Sequence, residues 1–420
     1  MNLQLLLTGD ELLSGDIVDT NSSWLASRLK EQGIAVSRKT TVGDDLDDLV
    51  QALNALSQQA DVLIVNGGLG PTIDDMTAQA LSLVSGQPLQ MHPDALAHLE
   101  SWSNVRSFEL TEANLKQALL PADVNIVHNA TGTAPGFSAV VNDCLIICTP
   151  GVPSELKRMF DDEIAPLLNT MTPGETASTT RLLVFGIGES DIQQMISDQL
   201  SDWPQQLTLG FRAQMTSLEV KVTGSDEALK AQWVERLHNL LGDNIIGPGD
   251  SSVAGETVKL LQGKGLWLST AESCTGGMIS SQITANSGAS EVFSHGFITY
   301  SNTAKHQMIG VDTDILENHG AVSEQTVRQM TQGALQYSAS DLAVAVTGIA
   351  GPTGGSEEKP VGTVWIGWGS LDHIEAVKLV LPARSRGFFQ HMVATIALDL
   401  IRRRLIKSSE TPKYLKRYAA

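Results

Sequence analysis

Residues 271–305 read AESCTGGMISSQITANSGASEVFSHGFITYSNTAK, a run of small hydroxyls and glycines with one tyrosine, one lysine and little bulk. Ser273, Cys274 and Thr275 precede the pair Gly276-Gly277, after a strand-like apolar segment at 265–268 and before a helical pattern that begins at Met278. Strand, tight turn and helix in succession is the repeating unit of an α/β sheet. It leaves free backbone N–H groups and a positive helix end beside polar side chains, an arrangement suited to an anion. The second half of the stretch supplies Ser290 as a candidate nucleophile, with Tyr300 and Lys305 as candidate proton carriers. A serine hydroxyl is a poor nucleophile at neutral pH and needs such a base; Ser-Lys pairs are a recurring solution.

Geometry constrains that pairing. Fully extended, the steps from 290 to 305 at about 3.3 Å each span roughly 50 Å, and the two side chains could not meet. A helical turn at 289–294, a reversal at Gly296 and a strand running back at 297–301 lets them converge, and glycine permits the reversal. The reading of Ser290 as nucleophile rests on Ser290 and Lys305 being neighbours in space. Further on, residues 347–363 read TGIAGPTGGSEEKPVGT after an apolar strand at 342–346. A glycine-dense loop at the C-terminal end of a strand is where open α/β sheets bind ligands.

AESCTGG, TYSNTAK and TGIAGPTGG followed by KPVGT resemble the C-terminal domain of the CinA family, the nicotinamide mononucleotide deamidases, and the likeness extends over nearly the whole chain. The resemblance implies Ser290 as nucleophile, Lys305 and Tyr300 as its proton-handling partners, and Ser273, Thr275, Gly276, Thr347, Gly348 and Arg386 as substrate contacts. Two departures are visible. Gly288-Ala289-Ser290 stands where the family usually has Gly-Ser-Ser, and Arg384-Ser385-Arg386 with Gln390 stands where it has Gly-Asp-Arg and a second arginine four residues on.

At 420 residues the chain exceeds one ordinary core and calls for two to four domains. With 42% hydrophobic and 18% charged residues its composition is that of a soluble globular protein. A formal charge of −19 argues against sequence-independent nucleic-acid binding. The basic C-terminal run Arg402, Arg403, Arg404, Lys407, Lys413, Lys416, Arg417 is read as complementing a helix end. The N-terminal apolar run is too short and too soon acidic for a secretory signal, and nothing approaches a membrane span. Three cysteines without a CxxC point to a reducing cytoplasm. Cys144 and Cys148 are read as core thiols, and Cys274 as a rival nucleophile, since a thiol at a helix N-terminus can have a lowered pKa.

In residues 1–170, strand patterns at 3–7, 34–41 and 61–66 alternate with helical patterns at 21–32 and 46–59, a βαβαβ order with a mostly parallel sheet. Three glycine-bearing loops follow apolar strands: one with Gly9 and Glu11, one with Gly67, Gly68, Gly70, Pro71 and Thr72, and one with Pro150 and Gly151. Loops at strand ends imply one shared cleft. Asp74 and Asp75 are read with equal weight as ligands of a divalent cation such as Mg²⁺ or as caps of the helix beginning there. GDELLSGDIVDTN, GGLGPTIDDMT, NATGTAPGF and PGVPSEL resemble the molybdopterin-binding (MoaB/MogA-like) domain that opens CinA proteins, which implies a nucleotide or pterin pocket and, in some members, cleavage of ADP-ribose. No GxGxxG fingerprint calls for NAD as a redox cofactor.

Residues 171–250 begin with the Pro/Gly linker MTPGETAST and continue in a βαββα order that resembles the family's KH-like middle domain. No basic GXXG loop accompanies it, so a structural or dimer-forming role is expected. Residues 251–420 alternate helices with strands whose last members succeed one another directly, which predicts a mixed sheet in an α/β sandwich. No HExxH or Cys/His grouping marks a zinc hydrolase.

The expectation is thus three domains, 1–170, 171–250 and 251–420, in a cytoplasmic homodimer. It acts on small nucleotides (NMN, ADP-ribose) and needs no cofactor for deamidation. The alternative is a nucleotide- or pterin-binding protein without catalysis, linked to competence or damage response.

Overall fold

The structure, a computed structural model, describes residues 1–106, 109–171, 177–382 and 384–419. The expected linker falls mainly on 172–176, outside the described residues. The chain divides into two compact units, Met1–Ser178 and Thr179–Ala420.

In the first unit β1 (Leu3–Thr8), α1 (Asn21–Glu31), β2 (Val36–Val42), α2 (Leu46–Ser57), β3 (Val62–Asn66) and α3 (Thr77–Ser85) keep the predicted alternation, with β4 (Asn125–Val127), β5 (Gly136–Val141) and β6 (Cys144–Thr149) added. The six-stranded sheet has the order β2-β1-β3-β6-β5-β4. β1, β2, β3 and β6 are parallel, and β5 runs antiparallel to both of its neighbours. Separate apolar clusters cover the two faces, one around Leu53, Leu63 and Phe137 and the other around Leu5, Ile64 and Phe160. Burial on both sides is why LQLLLT and VLIVN show no alternation. Asp45 starts α2 by accepting the Asp48 N–H at 3.0 Å. Asn142 and Asp143 turn the β5–β6 hairpin with left-handed φ values of 54° and 62°, the conformation a two-residue hairpin requires.

The second unit opens with β7 (Ser178–Val184), α4 (Glu189–Gln199), β8 (Thr208–Ala213), β9 (Leu218–Gly224), α5 (Glu227–Leu241) and β10 (Ile245–Pro248), in a four-stranded sheet of order β8-β9-β7-β10. One face of this sheet buries Trp233 and Leu237 of α5. Leu183, Phe185 and Ile246 instead join the core built by residues 253–418.

In that C-terminal part α6 (Val253–Lys264), β11 (Leu268–Glu272), α7 (Met278–Thr284), β12 (Phe293–Ile298), α8 (Asn302–Ile309), α9 (Glu324–Ser338), β13 (Leu342–Gly348), β14 (Thr363–Ser370), β15 (His373–Val380), α10 (Arg386–Leu405) and α11 (Lys413–Tyr418) surround and form a five-stranded sheet of order β12-β11-β13-β14-β15. β11 is parallel to β12 and β13, and the last two pairings are antiparallel, as the run of strands without a helix predicts. One face packs on α6, α7 and α10, the other on α9.

The basic run near the C-terminus is partly internal. Arg402 and Arg403 are buried on Asp399, which also accepts the Tyr414 hydroxyl at 2.8 Å. Among the described residues no helix is long and apolar enough to cross a membrane.

Candidate active site

Two expectations about residues 265–301 fail in a connected way. β11 covers Leu268–Glu272 rather than 265–268, and β12 runs straight through Gly296, parallel to β11, instead of reversing there. Leu268 pairs with Phe293 at one end of the ladder and Glu272 with Ile298 at the other. Ser290, exposed in the turn before β12, therefore lies at the N-terminal end of the sheet. Lys305 lies beyond the C-terminal end, roughly 16 Å away along the strands at about 3.3 Å per residue. Within the chain Ser290 and Lys305 are not brought together.

The residue that does meet Lys305 is Ser273. It leaves the end of β11 with its N–H on Val346 O at 3.1 Å. Ser301 caps α8 by accepting the Ala304 N–H at 3.0 Å, and the first turn of that helix swings Lys305 back over the strand ends. Lys305 Nζ contacts Ser273 Oγ at 3.0 Å and donates to Thr299 O at 2.8 Å, with the residue 1% exposed. Both partners are neutral, so burial goes uncompensated and pulls the amine from its ordinary 10.5 down to about 8. Cys274, the rival nucleophile, is buried, and desolvation pushes its thiol up to about 12. It is not a thiolate at neutral pH.

Glu272, which sequence reading passed over, explains why the turn holds its shape. Its carboxylate is fully buried and accepts from Thr275 Oγ1 (2.8 Å), Gly277 N (3.0 Å), Ile279 N (3.0 Å), Ser280 N (2.8 Å) and Ser280 Oγ (2.7 Å). The start of α7 thus satisfies an internal anion and offers none of these donors to a ligand. Gly276 N–H is likewise spent on Ser273 O at 3.1 Å. Thr275 Oγ1 and Gly276 N–H thus hold the turn itself. The detectable signal was the acid directly before Ser273, with hydroxyls and glycines after it. Glu272→Ala would strand these donors, and urea unfolding should show a loss of about 3 kcal/mol or more.

The remaining expected contacts divide. Thr347 is buried with its hydroxyl on Ala321 O at 2.8 Å. Gly348 ends β13 so close to β14 that an added Cβ would come 2.6 Å from Thr363 O. Both shape the strand end. Arg386, at the start of α10, reaches Gly351 O at 2.9 Å and the Tyr300 hydroxyl at 3.0 Å. Tyr300 is 62% exposed and bonds Arg386 rather than Lys305. One turn on, Gln390 donates to Cys274 O at 3.0 Å. Arg386 and Gln390 thereby tie the glycine loop, Tyr300 and the segment bearing Ser273 together.

In the first unit the three loops do converge. Thr8, Gly9 and Glu11, the Gly67–Asp75 segment, and Pro150 with Gly151 line one cavity of about 480 Å³. Asp75 Oδ2 accepts from Thr72 N at 2.8 Å and Thr72 Oγ1 at 2.6 Å. α3 begins later, with Met76 at its N-cap, so neither aspartate caps it. Among the described residues no three His, Cys, Asp or Glu side chains are grouped to hold a metal. Burial, reinforced by Asp10, Glu11 and Asp74, raises the pKa of Asp44 on the same cleft.

Comparison with known proteins resolves the second unit into two matched segments. Three family models match the chain: a probable molybdopterin binding domain at 4–170, a damage-inducible protein CinA KH domain at 179–247, and a CinA C-terminal domain at 250–405. A CinA-like protein of Colwellia psychrerythraea is 48% identical over 420 residues, spanning 98% of this chain and 97% of its own length. A nicotinamide-nucleotide amidohydrolase PncC of Shewanella oneidensis is 40% identical over 418 residues, spanning 99% and 98%. The crystal structure of the competence/damage inducible protein CihA from Agrobacterium tumefaciens is 41% identical, covers 37% of this chain and 93% of its own, and gives a TM-score of 0.36.

Proposed function

The chain belongs to the CinA family, and from that premise we propose that its second unit hydrolyses the carboxamide of a nicotinamide nucleotide, NMN and water giving nicotinate mononucleotide and ammonia. The buried contact of Ser273 Oγ with Lys305 Nζ at 3.0 Å carries the reading, and the Shewanella relative's name agrees with it.

Neutral Lys305 takes the hydroxyl proton as Ser273 Oγ attacks the carboxamide carbon. The resulting ammonium returns that proton to the departing nitrogen, so ammonia leaves and an ester on Ser273 remains. Water then attacks the ester carbon, Lys305 accepts its proton, and Ser273 recovers its hydrogen as the carboxylate is released. The route uses a hydroxyl, an amine and water, and no cofactor enters it. Arg386, whose two partners are neutral oxygens, keeps an unneutralised charge at the mouth for the nucleotide phosphate.

Since the neutral amine is the base and its pKa is about 8, kcat/KM should rise about tenfold per pH unit below that value and level off above it. Ammonia release from NMN measured between about pH 6 and pH 9 tests this. No ammonia anywhere in the range would remove the amidase reading, and a flat profile would remove Lys305 as base.

For the first unit we propose a pocket for a nucleotide or pterin, supported by the convergence of its three loops on one cleft. Cleavage of ADP-ribose is the stronger claim. Incubation with added Mg²⁺ separates the two, since a binder leaves the ligand intact.

A further inference from the structure

Beside the first unit's cleft lies a smaller cavity of about 140 Å³ that shares Gly68, Leu69, Gly70, Asp75 and Gln117 with it. Its deeper wall is apolar, formed by Leu120, Pro135 and Phe137 among others. Asp75, Gln79, Lys116 and Gln117 are the cavity's polar lining residues. Gln117 is 5% exposed, and its Nε2 donates to Leu69 O at 3.3 Å. Because a carbonyl can only accept, this bond fixes which end of the amide is nitrogen. The other end, Oε1, is buried without a hydrogen-bond partner. Lys116, next in the chain, donates to Thr72 O and holds the same glycine loop.

An amide oxygen buried without a donor is unfavourable and marks a place where something else supplies the hydrogen. A hydrocarbon in this cavity would leave Oε1 unpaired, and a sugar would press its hydroxyls against apolar walls. A planar nitrogen heterocycle satisfies both, with its faces on Leu120 and Phe137 and an edge N–H on Gln117. Resting on the reading of this cleft as a nucleotide or pterin pocket, we propose that Gln117 Oε1 accepts a hydrogen bond from the ring edge of a purine or pterin seated in the smaller cavity, the polar remainder of the ligand lying in the larger one.

Calorimetric titration of the full chain tests the contact from both sides. AMP carries an amine on its ring edge, and purine riboside 5′-monophosphate lacks it; 6-hydroxymethylpterin is the pterin probe. Wild type is expected to bind AMP or the pterin, and AMP about tenfold more tightly than its deaminated analogue if the purine is the ligand. Gln117→Met should erase that difference, because a variant that merely loosens the loop weakens both nucleotides alike. If only the pterin binds, Gln117→Met should weaken it about tenfold, while Thr77→Val, which frees Gly67 O of the same loop and lines neither cavity, should leave it within about threefold. A preference that survives Gln117→Met, or equal losses in both variants, overturns the proposal but leaves the pocket. Binding of none of the probes by wild type overturns both.

Discussion

Ser273→Ala is expected to lower kcat for ammonia release from NMN by about 10⁴-fold or more, while Ser290→Ala leaves it within about twofold. The contrast comes from sheet register. Ser273 stands where β11 ends, its hydroxyl 3.0 Å from an amine whose pKa is about 8. Ser290 stands before β12 begins, exposed and at the other end of the same parallel ladder. Removing one oxygen from Ser273 leaves the Glu272 network untouched, so circular dichroism and melting should match wild type. The reverse outcome, an active Ser273→Ala and a dead Ser290→Ala, would dissolve the proposed dyad. An intermediate loss in Cys274→Ala would reflect packing, because its buried thiol has a pKa of about 12.

That Ser273 rather than Ser290 meets Lys305 within the chain shows where sequence reading reaches its limit. Most elements are legible: α2, β3 and β13 each match the expected spans of 46–59, 61–66 and 342–346 at one end and differ by one or two residues at the other. These segments carry either a helical apolar stripe or an unbroken apolar run. β11 carries neither. Its sequence is LSTAE, yet all five residues are buried. Ser269 satisfies its hydroxyl on Ser340 and Thr270 on Ser280, each at 2.8 Å. Hydroxyls that find internal partners behave as small core residues, and a hydropathy pattern cannot distinguish them from a loop. A strand that ends four residues early puts Ser273 in a turn rather than at a strand end, and suggests a reversal at Gly296 that β12 does not make.

The anion site expected at the start of α7 fails for a related reason. The pattern of glycines before a helix is present, but Glu272 from the same chain already occupies it. A short motif gives the donors and not their partner. In the first unit the three glycine loops are placed correctly, because each comes after a strongly apolar strand and parallel strands bring their C-terminal ends to one edge. Gln117 lies on a segment with no such pattern, and only the side-chain geometry singles it out.

Lys305→Met should abolish ammonia release, by about 10³-fold or more, and at the same time make the protein no less stable at neutral pH. The ammonium is 1% exposed and touches only Ser273 Oγ and Thr299 O. Its folded pKa of about 8 lies below the ordinary 10.5. A base held below its unfolded value opposes folding when both states are protonated. The penalty is therefore complete below about pH 8, shrinks as pH rises toward 10.5, and vanishes above it. At about 1.36 kcal/mol per pH unit it amounts to roughly 3 kcal/mol. Methionine keeps the stem and its packing, removes the charge, and gives up two hydrogen bonds of about 1 kcal/mol each. The balance is a gain of about 1 kcal/mol at about pH 7 that reverses to a loss near pH 10, read as the difference between wild-type and variant urea unfolding at the two pH values. A variant that is less stable than wild type by the same amount at both would mean that folding leaves the Lys305 pKa at its ordinary value, and the proton-accepting role assigned to it would lose its physical basis.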